Sequence, residues 1–133
     1  IWGGDITLTN SIVANNGGTN NFKMYQGDWF SQGYNLSNDW NGLPLHTSDK
    51  TGDPLLGPLE DNDGATWTHA LSINSLAVDQ VPHGVNGCGT LYTQDQRGKP
   101  RPYQAGGRCD TGAFEARDLI WYVYALMPKD ELP

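Results

Sequence analysis

The chain has 133 residues, a formal charge of −7, seventeen glycines, eight prolines and two cysteines. That length suits one domain around one core. The charge is uneven: residues 1–96 hold two lysines against ten acids, and residues 97–133 hold six Lys or Arg against five acids. A chain of this charge is a poor binder of nucleic acid, which is gripped through its phosphates by basic surface. No apolar run reaches the ~20 residues that a membrane-spanning helix needs.

The sequence opens Ile1-Trp2-Gly3-Gly4, with no initiator Met and no signal peptide, and strand-like alternation starts within a few residues. The expectation is a C-terminal piece of a longer chain. Helical periodicity is nearly absent. Short alternating stretches stand between the glycines and prolines: DITLTNSIVAN (5–15), GYNLSND (33–39), TLYTQD (90–95) and DTGAFEA (110–116). This pattern predicts an all-β protein built from short strands.

In the first stretch Ile6 and Leu8 share one side, Asn10 interrupts, and Ile12 and Ala14 resume on the same parity. A poorer copy follows, with Tyr34 and Leu36 flanked by Asn35 and Asn38. Strand, Asn-bearing corner, strand is how a coil of a parallel β-helix is written. Asparagine tolerates left-handed backbone, and its amide bonds neighbouring backbone at a corner. Stacked coils also let corner side chains form ladders. Only two such rungs are visible, and a β-sandwich-like domain with long Asn-rich loops satisfies the same pattern.

Residues 40–75 carry loop chemistry with isolated apolar anchors at Leu43, Leu45, Leu55, Leu56, Leu59, Trp67 and Leu71. They read as a long excursion over a core. Ser75–Val81 reads as a short strand or turn. Asp118–Met127 is apolar on both parities: Leu119, Trp121, Val123 and Ala125 on one face, Ile120, Tyr122, Tyr124 and Leu126 on the other. Its β-branched and aromatic content predicts a strand. An exposed strand of this kind is an aggregation hazard, so it requires burial or a partner. The division expected is terminal coils at 1–39, a cap with long loops at 40–117, and a hydrophobic strand or tail at 118–133.

From about Ile6 to Glu115 a series of motifs appears in order: LTNSIVANN (8–16), GYNLSND (33–39), DPLLGPLEDNDG (53–64), THAL (68–71), NSLAVD (74–79), DQRGKPRP (95–102) and CDTGAFE (109–115). The series resembles the C-terminal region of secreted bacterial right-handed parallel β-helix proteins of the choice-of-anchor Q or polymorphic-outer-membrane-protein-like kind. The sequence departs from that pattern at Asp63, where glycine is usual, and at Asn74 and Leu76, where Gly and Pro are usual. The resemblance implies the terminal coils and cap of a right-handed parallel β-helix at a cell surface. It implies no catalytic residues.

Several groups are candidates for chemistry. Cys88 and Cys109, a lone pair in a Gly/Asn-rich chain, predict one disulfide and an oxidising compartment, with two buried free thiols as the alternative; no C-x-x-C or histidine spacing makes them a zinc site. Asp95, Arg97, Arg101, Arg108, Asp110 and Glu115 predict a structural ion-pair network, in which Arg97 or Arg101 pairs with Asp110 or Glu115 and binds loop carbonyls. The competing use is an anionic-ligand or sugar-acid site. Asp61 and Asp63 offer a partial oxygen set for Ca²⁺, without the acid at the twelfth position that an EF-hand needs. An Asx turn explains them equally. His46, His69 and His83 lack metal-ligand spacing. Trp2, Trp29, Trp40, Tyr25 and Tyr34 suit sugar stacking or, more commonly, core and cap packing. Asn35 heads an N-L-S sequon, and KDEL at Lys129–Leu132 is followed by Pro133, so it is not a terminal retention signal.

The expected function is a non-enzymatic extracellular structural, self-assembly or adhesion domain without a resident cofactor. If the fragment is the whole subunit, the strand Leu119, Ile120, Trp121, Tyr122, Val123, Tyr124 and Leu126 adds to a neighbouring copy and makes a filament. Otherwise its partner is the remainder of a longer β-helix chain. The alternatives are a module binding a surface glycan, or the terminal part of a polysaccharide-degrading β-helix enzyme.

Overall fold

The computed structural model describes residues 4–17, 20–23 and 26–116. Their regular structure is six short strands and one 3₁₀ turn at Val85–Gly87, so the chain is all-β. β1 (Ile6–Leu8) pairs in parallel with β2 (Trp29–Ser31), Ile6 opposite Trp29. Beyond the Asn10 corner, Ile12 forms a parallel bridge to Leu36. β3 (Leu36–Ser37) pairs in parallel with β4 (Lys50–Thr51) on its far side.

Side chains repeat the same stacking. Thr9 donates to Gln32 at 2.9 Å and Asn38 donates to Asn15 at 2.8 Å, each across 23 residues. The Ser11 N–H donates to Asn35 Oδ1 at 2.9 Å across 24 residues. The first stretch therefore lies on the second at a nearly constant offset. Asn10, Asn15, Asn41 and Asn86 have φ of 49°, 56°, 50° and 47°. Left-handed backbone is where asparagine is tolerated and β-branched residues are not, which explains why it crowds these corners.

The 40–75 segment differs from expectation. It contains β4 and an antiparallel hairpin of β5 (Leu56–Glu60) and β6 (Thr68–Leu71). Gly57 and Pro58 hid β5 in the sequence. The structure accommodates them with a register shift between Leu56 and Leu59, and proline is acceptable on an edge strand. Of the expected anchors only Leu71 is buried; Leu45, Leu55, Leu59 and Trp67 are exposed.

TLYTQD and DTGAFEA also differ. Both are turns and irregular backbone carrying isolated bridges, Cys88 to Tyr92 and Gln94 to Pro100 for the first and Val81 to Cys109 beside the second. Ser75–Asp79 is a turn. The main core joins Leu36, Leu71, Ala77 and Ala116, with Ile12, Leu56, Val78 and Phe114 against them. A second cluster holds Val81, Cys88 and Cys109, with Tyr34 packed on it. Phe22, Trp29 and Trp40 form a third nucleus, Phe22 stacked on Trp40 at 5.6 Å and edge-on to Trp29 at 5.0 Å. No helix of the described residues is long and apolar enough to cross a membrane.

Candidate functional site

The DQRGKPRP and CDTGAFE motifs converge on one buried polar network. Asp95 starts a tight loop. Its Oδ1 accepts the backbone N–H groups of Arg97 at 2.8 Å and Lys99 at 3.0 Å, an Asx-type closure. Its Oδ2 accepts Arg97 Nη2 at 2.6 Å and Nε at 2.9 Å, and the Glu115 N–H at 3.1 Å. The Arg97 guanidinium lies 3.5 Å above the Phe114 ring and also donates to the Glu115 carbonyl at 2.8 Å. Gly64, from the β5–β6 loop, packs on the same arginine: a Cβ there would stand 3.0 Å from Arg97 Cα.

Arg101 donates to the carbonyls of Gly112, at 2.7 Å, and of Asp110, and its Nε lies 3.6 Å from Glu115 Oε2. Arg108 donates to the carbonyls of Asp79, at 2.5 Å, and of Gln80. Here guanidinium groups take the carbonyls that a strand partner would otherwise take. That is why DTGAFEA is irregular despite its alternation.

Asp110 and Glu115 are 1% and 2% exposed. The Asp110 carboxylate accepts the N–H groups of Asp79 at 2.8 Å and Ala116 at 2.6 Å. The Glu115 carboxylate accepts those of Tyr103 and Asp110, both at 3.2 Å. Burial pushes Asp110 up to about 6, against its backbone hydrogen bonds. Burial, then the neighbouring Asp110 charge, pushes Glu115 up to about 7. For Asp95 burial acts in the same direction, but the Arg97 hydrogen bond and three backbone N–H groups outweigh it and hold the carboxyl below its usual value.

The charges explain this division. Two guanidinium groups face three carboxylates, so the cluster is neutral when one proton is shared by Asp110 and Glu115. Raised carboxylates often mark a general acid. Here every described buried side-chain polar atom has a partner, and the carboxylates are enclosed by the backbone they bind. The arrangement ties three loops together.

The partners differ in part from the sequence expectation. Arg101 pairs with Glu115 and both arginines bind loop carbonyls as expected, but Arg97 pairs with Asp95, and Asp110 takes backbone N–H groups. The Cys88–Cys109 disulfide is present, with Cα atoms 5.9 Å apart, and is buried beside the network. Asp61 Oδ1 accepts the Asp63 N–H at 3.1 Å, an Asx turn with Asp63 at φ 63°. That left-handed backbone is what glycine supplies at this place in the resembled motif. Among the described residues no group of three or more His, Cys, Asp or Glu is arranged for a metal ion. His69 Nδ1 is 2.8 Å from the Gly57 carbonyl and His46 Nδ1 is 2.8 Å from Ser48 Oγ. Trp29 and Trp40 are buried, whereas Trp67 is 65% exposed. Leu119, Ile120, Trp121, Tyr122, Val123, Tyr124 and Leu126 lie outside the described residues.

A second network escaped the sequence reading. Asn35 is 1% exposed, and its amide reaches Asp49 Oδ1 at 3.1 Å, Ser31 Oγ at 3.0 Å and the Leu8 carbonyl at 3.3 Å. Ser31 Oγ donates to Asp49 Oδ2 at 2.6 Å. The sequon asparagine is thus committed to the interior. The signal available was Asp49 itself, an acid immediately after the turn-forming Thr47-Ser48 pair. Comparison of the chain with protein-family models, with curated proteins and with solved structures finds no match.

Proposed function

We propose that this is a non-enzymatic extracellular structural domain, the terminal coils and cap of a right-handed parallel β-helix, which joins copies of itself through its C-terminal segment. The observation that carries this reading is the parallel stacking of Ile6–Val13 on Trp29–Ser37 at an offset of 23 to 24 residues, with side-chain bonds of the same offset. Parallel strands joined by a corner rather than a helix are solenoid geometry. A β-sandwich is made of antiparallel sheets, and the described residues contain one antiparallel strand pair. The disulfide supports an oxidising location.

The assembly part rests on supply and demand for strands. β1 has β2 as its one neighbour among the described residues. Residues 118–127 are an apolar strand sequence with two faces to cover. Strand addition satisfies both. Size-exclusion chromatography with light scattering, followed by negative-stain microscopy, tests it. Oligomers that grow with concentration are expected; a monomer at every concentration overturns the assembly reading. Glycan binding is the second reading, favoured by the exposure of Trp67 and Tyr92. It predicts glycan binding that is lost in Trp67→Ala.

A further inference from the structure

A cleft of about 730 Å³ lies between the Ser11–Asn16 stretch and the β5–β6 hairpin. Ile12, Leu56, Leu71 and Phe114 line it, so its floor is the outer side of the main core cluster. One wall is a strand edge. The Ser11 carbonyl and the Val13 N–H both bond Leu36. Alternate residues of an extended strand turn their backbone groups to opposite sides, so Ile12 and Ala14 turn theirs away from Leu36. Among the described residues the backbone groups of Ile12 and Ala14 make no hydrogen bond. An apolar floor beside an unpaired edge is the receiving half of a strand addition.

The chain's own exit leads elsewhere. Phe114 lines the cleft, but Ala116 lines a separate hollow of about 330 Å³ with Ile73, Val78 and Tyr103. Only Arg117 and Asp118 separate Ala116 from the apolar run that begins at Leu119. Arg-Asp is not one of the pairs, such as Asn-Gly or Asp-Gly, that reverse a chain in two residues. A segment of 17 residues, 117–133, nevertheless reaches a neighbour, since an extended chain spans about 3.3 Å per residue.

We infer that the Ser11–Asn16 cleft receives residues 119–126 of a second copy of this chain as an added strand. Ile12 and Ala14 supply the backbone partners, and Leu56, Leu71 and Phe114 receive one parity of the incoming side chains. Exit hollow and receiving cleft are different surfaces, so a one-way exchange propagates head to tail, whereas a reciprocal exchange closes a dimer. This rests on the assembly reading and names the acceptor surface it left open.

Amide hydrogen exchange on the full chain, at a dilute and an assembled concentration, reads the joint directly. In the assembled sample the Ile12 and Ala14 amides are expected to slow by at least about a hundredfold relative to the dilute one, as ladder amides do. Ala14→Pro, which removes an N–H that no described residue uses, should raise the half-assembly concentration at least about tenfold. Its far-ultraviolet circular dichroism should match that of the parent chain; if it does not, Ala14→Asp, read in the same way, replaces it. Assembly with Thr7 protected in place of Ile12 and Ala14 would put the joint on the β1 edge and overturn the inference while leaving the assembly reading intact. A monomer with Ile12 and Ala14 protected would mean that the segment folds into its own cleft, and a monomer without protection would leave the cleft empty. Either monomer overturns both readings.

Discussion

The buried network makes stability fall as pH rises, the reverse of what a salt-bridged carboxylate does. Asp110 and Glu115 are raised to about 6 and about 7 by burial. A group whose folded pKa exceeds its unfolded value binds protons more tightly when folded. Its stabilising contribution is complete below the unfolded value, near 4, and is lost as pH rises through the folded value. Moving a carboxyl from 3.8 to about 6 corresponds to about 3 kcal/mol at 1.36 kcal/mol per pKa unit. The two groups share one neutralising proton, so about 3 kcal/mol is expected for the pair between pH 4 and pH 8, not twice that. Asp95 acts oppositely, since its contribution is present above about 4 and disappears below it. Stability should therefore peak near pH 4 and fall through pH 5 to 8. Urea unfolding at constant ionic strength, with the disulfide intact, measures this through the fluorescence of buried Trp29 and Trp40. Glu115→Gln sharpens the test. Glutamine has one acceptor oxygen for the two N–H groups of Tyr103 and Asp110, so the variant should be less stable at pH 5 by about 1–3 kcal/mol. It should lose much less on going to pH 8, and the two curves should converge. Stability that is flat or rising from pH 5 to 8, or curves that stay parallel, would refute the shared-proton account.

Other outcomes follow from the same contacts. Replacing Cys88 and Cys109 by Ser frees a loop with a sequence separation of 21 residues, and chain entropy gives a loss of about 3 kcal/mol, readable as a lowered urea midpoint. Asn35→Ala strips the Ser11 N–H of its partner, while the Leu8 carbonyl keeps the Gln32 N–H, and should cost about 1–3 kcal/mol by the same measurement. Leu55 sits at φ 52° with its side chain exposed. Leu55→Gly should raise stability by up to about 1 kcal/mol, whereas Leu55→Val should lower it.

The asparagine corners, the disulfide and the all-β class were legible because each follows from local chemistry. Asparagine tolerates positive φ wherever it stands, and a lone cysteine pair has few alternatives. The β5–β6 hairpin was not legible, because Gly57 and Pro58 break the alternation that identifies a strand and the pairing of Leu56 with Leu71 is set by tertiary contact. The opposite error occurred in DTGAFEA. It alternates like a strand, yet Arg97 and Arg101 take its carbonyls from a loop 9 to 18 residues upstream. Residue types in the arginine network were readable, and so was the Arg101–Glu115 pair; the Asp95 partner of Arg97 was not. Which carboxylate faces which guanidinium depends on how the Asp95–Lys99 loop closes on itself, and Asp95 reaches its own loop before any distant arginine can.

These networks account for how such a chain coheres. The main apolar core is four buried residues, two of them alanine. Three loops are instead fixed by Arg97, Arg101 and Arg108, which bind main-chain carbonyls 18, 9 and 29 residues away from themselves in sequence. Such bonds are directional and saturable, so they complete the interior. The apolar core itself opens at Ile12, Leu56, Leu71 and Phe114. A polar interior that is already satisfied and an apolar cleft that is not together place further stabilisation at one surface. A strand entering there would gain ladder bonds and a floor at once. Full-chain assembly should therefore raise the urea midpoint with protein concentration, and the rise should vanish in Ala14→Pro while the dilute midpoint stays where it was.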